Sequence, residues 1–336
     1  MPLFLALVRQ AGVGDPALAR AALAGLAAYE AAARAPAPAA KPEIARIGGA
    51  TLRDHGGDGP PAVLVPSLIN PPHILDLDAQ VSLAGAVAAM GRRALLLDWG
   101  EARQRAALDV AGHVETILVP LLRDVARPAA LIGYCLGGTM ALAAANLVPC
   151  ERVATLAAPW HFGLYPADSR AALARIWGQA RAPAEALGAL PMEVLQAAFW
   201  SLDPLRTVSK FARFGELDPA GAEAQRFVAL EDWANEGEPL PFPAARELIE
   251  ELFARDLPGT GGWGVGGHCM GDALSVPMLH LTAGRDRIAP AATAPAGPSH
   301  GFDCGHVGMV VGSARHALHA ALARFLDPLA AFSHDG

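Results

Sequence analysis

Pro128-Ala-Ala-Leu-Ile-Gly-Tyr-Cys-Leu-Gly-Gly-Thr-Met-Ala-Leu-Ala-Ala-Ala-Asn-Leu147 is the stretch that decides the fold. It begins as an apolar run suited to a buried strand, turns at Gly133-Tyr134-Cys135-Leu136-Gly137-Gly138, and ends as an alanine-rich helix. A strand-turn-helix of this form is an elbow that presents one side chain at the edge of a sheet, here with Cys135 where a Ser usually sits. The residue at such a corner holds a strained backbone, and glycines two positions before and after it remove side chains that would strike the neighbouring strand and helix. Gly133 and Gly137 therefore read as steric requirements. The turn also sets Cys135 at a helix N-terminus, whose N–H groups and dipole favour thiolate over thiol, and makes the Leu136 N–H a candidate oxyanion donor. The competing reading is a small buried Cys that merely ends a strand.

Outward from the elbow, short β-rich runs recur at residues 61–67 (PAVLVPS), 93–99 (RALLLDW), 152–159 (RVATLAAP) and 276–284 (VPMLHLTAG). Helix-like stretches such as Val81 to Met90 and Ala111 to Val125 separate them. This alternation predicts an α/β chain with a mostly parallel sheet and helices on both faces. Between Pro159 and about Gly262 the strand runs stop, and helical pieces such as residues 192–204 (MEVLQAAFWSLDP) and 244–257 (AARELIEELFARDL) take over. The expected organisation is an N-terminal helical segment with an Ala-Pro linker over 1–42, a core of 43–158 and 263–336 with the α/β-hydrolase fold, and a helical cap inserted over 159–262. Residues through about Arg34 have helical spacing, and Ala35 to Ala40 read as extended linker.

An elbow of this kind needs an acid and a histidine downstream, in that order along the chain. Asp286 follows an apolar strand in the turn Gly284-Arg-Asp-Arg-Ile-Ala-Pro290, which sets a carboxylate at the C-terminal edge of the sheet. His306 sits among glycines in Asp303-Cys-Gly-His-Val-Gly-Met-Val-Val-Gly312, just before a closing helix, where an imidazole can meet both Cys135 and Asp286. The bland alternatives are a turn-capping Asp and an exposed loop His. His73, His161, His268 and His280 lack this placement and read as structural or solvated. Asp98 ends an earlier strand but precedes the nucleophile, so it ranks second as the acid. The loop after the strand at residues 61–67, Val63 to Pro72, is the place for a second oxyanion donor, with the Leu68 or Ile69 N–H facing the elbow.

Composition bounds the rest. Of 336 residues 53% are hydrophobic and 18% charged, too apolar for disorder and suited to an oily substrate. The net charge of −7 with no basic run argues against nucleic acid. Four cysteines at 135, 150, 269 and 304 lack both zinc-site spacing and disulfide density, so no metal and a reducing compartment are expected. The apolar N-terminus lacks a basic start and no segment offers an uninterrupted membrane span, so the expectation is a soluble, cytoplasmic protein with no transmembrane segment.

Six segments together resemble the polyhydroxyalkanoate (PHA) synthases over about Pro61 to Phe325. Residues 63–77 (VLVPSLINPPHILDL) look like that family's oxyanion loop, 95–101 (LLLDWGE) like its following strand, and 133–139 (GYCLGGT) like its lipase-like box with Cys as nucleophile. Residues 230–241 (LEDWANEGEPLP), 284–290 (GRDRIAP) and 304–312 (CGHVGMVVG) resemble its cap, acid and histidine motifs. The resemblance implies acyl transfer from 3-hydroxyacyl-CoA to a growing polyester, without cofactor, with Cys135, Asp286 and His306 as the catalytic positions. It also implies a homodimer or a synthase partner subunit, and a place at the polyester granule surface. Ser67-Leu68 stands where synthases usually carry Pro-Trp, and Arg287 where a His is common. A thioesterase or polyester depolymerase of the same fold, or a catalytically silent granule-surface protein, would share these motifs.

Overall fold

The apolar runs on either side of the elbow become the centre of one sheet. The computed structural model of the chain describes residues 2–35 and 39–327; of the expected linker Ala35–Ala40, residues 36–38 lie outside the described residues. Two compact units are present, Met1–Ala39 with Met192–Gly237, and Ala40–Pro191 with Glu238–Gly336.

The second unit carries an eight-stranded sheet made of β1 (Glu43–Ile47), β2 (Ala50–Asp54), β3 (Pro61–Val65), β4 (Arg93–Asp98), β5 (Ala130–Tyr134), β6 (Arg152–Leu156), β7 (Met278–Ala283) and β8 (Ser299–Phe302). Their order is β1-β2-β4-β3-β5-β6-β7-β8, with β1, β2 and β4 paired antiparallel and every later pairing parallel. All residues of β3, β5 and β6 are buried, as strands covered by helices on both faces must be. The mostly parallel sheet expected from the sequence is therefore the one observed. Register aligns Val65 with Gly133, Tyr134 with Leu156, Leu281 with Leu156 and Ala283 with Phe302. The C-terminal ends of β3, β5, β6, β7 and β8 thus share one edge, and the segments that follow β5, β7 and β8 carry Cys135, Asp286 and His306.

β8 is absent from the sequence reading. Its four residues include three exposed ones and pair only with β7, so an edge strand this short shows no apolar alternation. Helices form where expected. Ser82 caps Leu83–Ala89 through its Oγ, which accepts from the Gly85 N–H at 2.7 Å. The helix from Val110 to Asp124 widens into a π-type stretch at Val114–Leu118, directly before Pro120, whose missing N–H and bulky ring a regular turn would not accommodate.

The first unit is all helix. Its N-terminal stretch forms two helices, Pro2–Gly14 and Pro16–Ala31, because Asp15 caps the second by accepting from the Ala17 and Leu18 N–H groups at 3.0 and 2.9 Å, while Pro16 lacks an N–H at its first turn. These pack with Met192–Ser201, Pro204–Phe214 and Ala222–Asn235 around Phe4, Val8, Leu26, Phe211 and Phe214. The segment expected as one cap therefore divides: residues 192–237 share a core with the N-terminal helices, whereas 159–191 and 238–262 belong to the unit of the sheet. Partners this distant in sequence leave no periodic trace.

A Cβ on Gly25 would lie 1.8 Å from the Phe211 carbonyl oxygen, whereas one on Gly178, in the helix Ala167–Leu187, meets nothing within 4 Å. Gly25→Ala should accordingly destabilise the chain by about 1–3 kcal/mol. Gly178→Ala should stabilise it by about 0.5–1 kcal/mol. Denaturant midpoints of the two variants, which should move in opposite directions, check both.

Candidate active site

Leaving β5, the chain reverses at Cys135, which has φ 56° and ψ −133°, a conformation that L residues seldom adopt. Two backbone bonds hold the corner, from the Cys135 N–H to Leu156 O and from the Gly138 N–H to Cys135 O, both at 2.9 Å. The glycines around it are steric necessities. A Cβ at Gly133 would stand 2.4 Å from the Gly138 Cα, and one at Gly137 would stand 2.2 Å from the carbonyl oxygen of Val65. That Cβ would also stand 2.5 Å from the Pro66 carbonyl oxygen, so the end of β3 and the start of its loop lie against the first turn of the elbow helix Leu136–Ala145. Cys135 caps that helix and is partly buried.

Asp286 lies in the turn after β7 with its side chain fully enclosed. Its Oδ1 accepts from the N–H groups of Ile288 and Ala289 at 2.7 and 2.9 Å, and its Oδ2 meets His306 Nδ1 at 2.6 Å. Because one oxygen is fixed by backbone donors, the other points at the imidazole. His306 opens the short helix His306–Val311 just past β8. The Tyr134 ring lies at 5.0 Å centroid separation with a 32° tilt, and its hydroxyl donates to His306 O at 3.4 Å. Cys135 stands close enough for its charge to act on the imidazole.

The electrostatics follow from these neighbours. Burial acts most strongly on His306 and would lower its pKa, but the charges of Cys135 and Asp286, with the hydrogen bond to Asp286, prevail and push it up to about 10. The balance at His306 thus favours the protonated imidazole, with Asp286 as its hydrogen-bond partner. Tyr134 and Tyr165 are raised well above the ordinary phenol value, by burial first and then by the negative charges of Cys135 and Asp286, so both stay neutral.

The other sequence candidates have separate employment. Asp98 accepts from the Gly100 N–H at 3.0 Å and faces Arg53 at 3.7 Å. His161 Nε2 meets Asp272 at 3.2 Å, and His280 is buried between Thr155 Oγ1 and Ala296 O, with its pKa lowered by burial. His268 is exposed in a two-residue ribbon with Gly264–Val265. In the loop after β3, the Ile69 N–H is directed at Ser67 Oγ at 3.3 Å. Among the described residues no acceptor faces the Leu68 N–H. Sequence reasoning missed the aromatic group formed by Phe162, Tyr165 and Phe253, with centroids 4.7 to 5.9 Å apart, and with the Tyr165 hydroxyl donating to Ile288 O beside Asp286. The Trp160-to-Tyr165 segment directly after β6 was its available signal. Among the described residues no group of three or more His, Cys, Asp or Glu is arranged to hold a metal ion, and no helix is long and apolar enough to cross a membrane.

The sheet order and the elbow after its central strand define an α/β-hydrolase fold. Epoxide hydrolases of the alpha/beta hydrolases superfamily, from metagenomes of hot environments, give a solved structure with a TM-score of 0.50 and 17% identity, covering 83% of this chain and 95% of that one, which is a likeness of fold alone. No family model matches the chain. In sequence it is similar to the poly(3-hydroxyalkanoate) polymerase subunit PhaC of Haloferax mediterranei, 28% identical over 278 residues, 76% of this chain and 56% of that protein. The namesake of Haloarcula marismortui is 27% identical over 299 residues, 81% of this chain and 62% of its own. That of Synechocystis sp. is 25% identical over 292 residues, covering 80% and 77%. The resemblance read from the motifs is thus borne out, while the chain spans only about 56% and 62% of the length of the first two relatives.

If the Cys135 charge is the leading influence raising His306, Cys135→Ala should move the His306 titration down from near 10 toward or below the ordinary histidine value. Nitrogen-15 NMR of the imidazole reads the change; an unmoved midpoint would show that Cys135 does not face His306.

Proposed function

We propose that this chain is a PHA synthase-like acyltransferase, which moves a 3-hydroxyacyl group from coenzyme A to a growing polyester through an acyl-Cys135 intermediate. The observation that carries this reading is His306 hydrogen-bonded to Asp286 at 2.6 Å and raised in pKa by Cys135, which stands at the strained elbow. The similarity to polymerase subunits supplies the substrate class.

In the proposed cycle the Cys135 sulfur, paired with the His306 imidazolium, attacks the thioester carbonyl. A C–S bond forms, and the carbonyl π pair moves to oxygen, where the N–H groups of Leu136 and Leu68 receive it. Of the two loop donors weighed, Leu68 is preferred, since Ser67 Oγ engages Ile69. Collapse expels coenzyme A, which takes the His306 proton. A substrate hydroxyl then gives its proton to His306 as its oxygen attacks the acyl-Cys carbonyl, and Cys135 leaves as thiolate, restoring the ion pair. Asp286 holds the imidazole in orientation and balances its charge. An acyl thioester on Cys135 stays as activated as the one it came from, which suits a second acyl transfer. The rings of Phe162, Tyr165 and Phe253 would give the acyl chain an apolar wall and discourage water. The chain is further proposed to act as a subunit, in a homodimer or with a partner, at the polyester granule surface.

Supplying 3-hydroxybutyryl-CoA and analysing the products tests this directly. Polymer is the expected product; free 3-hydroxybutyrate would make the enzyme a thioesterase, and no release of coenzyme A would leave a binding protein. Cys135→Ala should lower coenzyme A release by about a thousandfold or more. Asp286→Asn, which keeps the shape and loses the charge, should cost about 100- to 10,000-fold in kcat. Full turnover by the Ala variant would remove Cys135 from the mechanism.

A further inference from the structure

Trp99 follows β4 directly, in the stretch Leu95-Leu-Leu-Asp-Trp-Gly-Glu101, and has no part in the cycle above. Its side chain is buried, and its indole Nε1 donates to Pro66 O at 3.1 Å. Pro66 is the first residue past β3, two residues before Leu68. Its carbonyl oxygen also lies 2.5 Å from where a Cβ on Gly137 would stand. That oxygen is therefore held between an indole N–H on one side and the first turn of the elbow helix on the other.

Fixing this carbonyl fixes the peptide plane from Pro66 to Ser67 and so the point from which the Leu68 N–H is set, through Ser67 φ and ψ. Pro66 itself has no N–H with which to anchor the turn. Ser67 Oγ then draws in the Ile69 N–H at 3.3 Å, which holds the peptide after Leu68 and leaves the Leu68 N–H without an acceptor among the described residues. Trp99 is in turn set by a buried polar group behind it. Its ring meets His113 edge-on at 5.8 Å. His113 lies 2.6 Å through Nδ1 from Asp109 O and 3.1 Å through Nε2 from Arg105 Nη1. Burial pushes the His113 pKa down to about 4, so its imidazole is neutral, donating to the carbonyl and accepting from the guanidinium.

We propose that Trp99 is the positioning residue of the oxyanion site: its indole N–H holds the Pro66 carbonyl and so aims the Leu68 N–H at the oxygen of a carbonyl under attack by Cys135. The proposal rests on the acyl-Cys135 reading and extends it to a residue that touches neither substrate nor nucleophile. Trp99→Phe keeps the ring against His113 and deletes only the donor.

Two probes of Cys135 separate aim from general damage. Butyraldehyde adds to the sulfur as a thiohemiacetal: a C–S bond forms and the carbonyl π pair moves to oxygen, which stays anionic while His306 keeps its proton, so its binding requires the oxyanion donors. Iodoacetamide alkylates the same sulfur with loss of iodide and develops no oxyanion. In the full chain, with Cys269→Ala to remove the exposed competing thiol, Trp99→Phe should weaken binding of carbon-13 butyraldehyde by about tenfold or more, read by NMR. The iodoacetamide rate at Cys135 should be unchanged, and kcat with 3-hydroxybutyryl-CoA should fall in parallel with KM nearly constant. Equal aldehyde binding with and without the indole, including none in either, overturns the proposal, as does a parallel loss of iodoacetamide reactivity. Aldehyde bound equally by Cys135→Ala would instead sink the nucleophile assignment on which it rests.

Discussion

The backbone corner at Cys135 is the constraint on which the rest of the second unit depends. A residue with φ 56° and ψ −133° stays there only because its surroundings leave no alternative. Its N–H is bound by Leu156 of β6, its carbonyl by Gly138, and the Gly133 and Gly137 backbones are pressed against the helix and the β3 loop too closely for any side chain. Adjacent strands and the elbow helix must therefore be in register before the sulfur reaches the edge of the sheet. The corner also sets what surrounds the sulfur. The same close approach that excludes a Cβ from Gly137 sets the carbonyls of Val65 and Pro66 against the first turn of the elbow helix.

Three buried histidines show how surroundings decide chemistry. His113 is enclosed among backbone and cationic groups and His280 mainly among backbone and a hydroxyl, with Asp272 opposing only weakly, and burial lowers both, His113 to about 4. His306 is as deeply enclosed, yet the charges of Cys135 and Asp286 outweigh burial and carry it to about 10. An imidazolium is sustainable there because Asp286 is itself satisfied, with backbone N–H groups on one oxygen and His306 on the other. A buried ion pair without such bonds would cost more than it returned.

Much of the fold was legible because a parallel sheet has a plain signature. Strands covered by helices are rich in Val, Leu, Ile and Ala, and β3 to β7 read as such. β8 did not, since an exposed four-residue edge strand owes its existence to its partner β7 rather than to its own side chains. The break at Gly14-Asp15-Pro16 was written in capping residues but obscured by the alanine-rich helical spacing on both sides of it. The common core of the N-terminal helices and residues 192–237 had no local signal, because Phe4 and Tyr29 meet Phe211 across nearly two hundred residues.

The sequence by itself determined the elbow, the order Cys135, Asp286, His306 along the chain, and the residue types that acyl chemistry requires, since all of these are local patterns or a matter of chain order. Only the tertiary structure decided that the loops after β5, β7 and β8 open on one edge, that one Asp286 oxygen is left for His306, and that Trp99 reaches back to Pro66. Those are distances between segments tens to hundreds of residues apart. They are set by strand order, register and side-chain packing, none of which a linear pattern encodes.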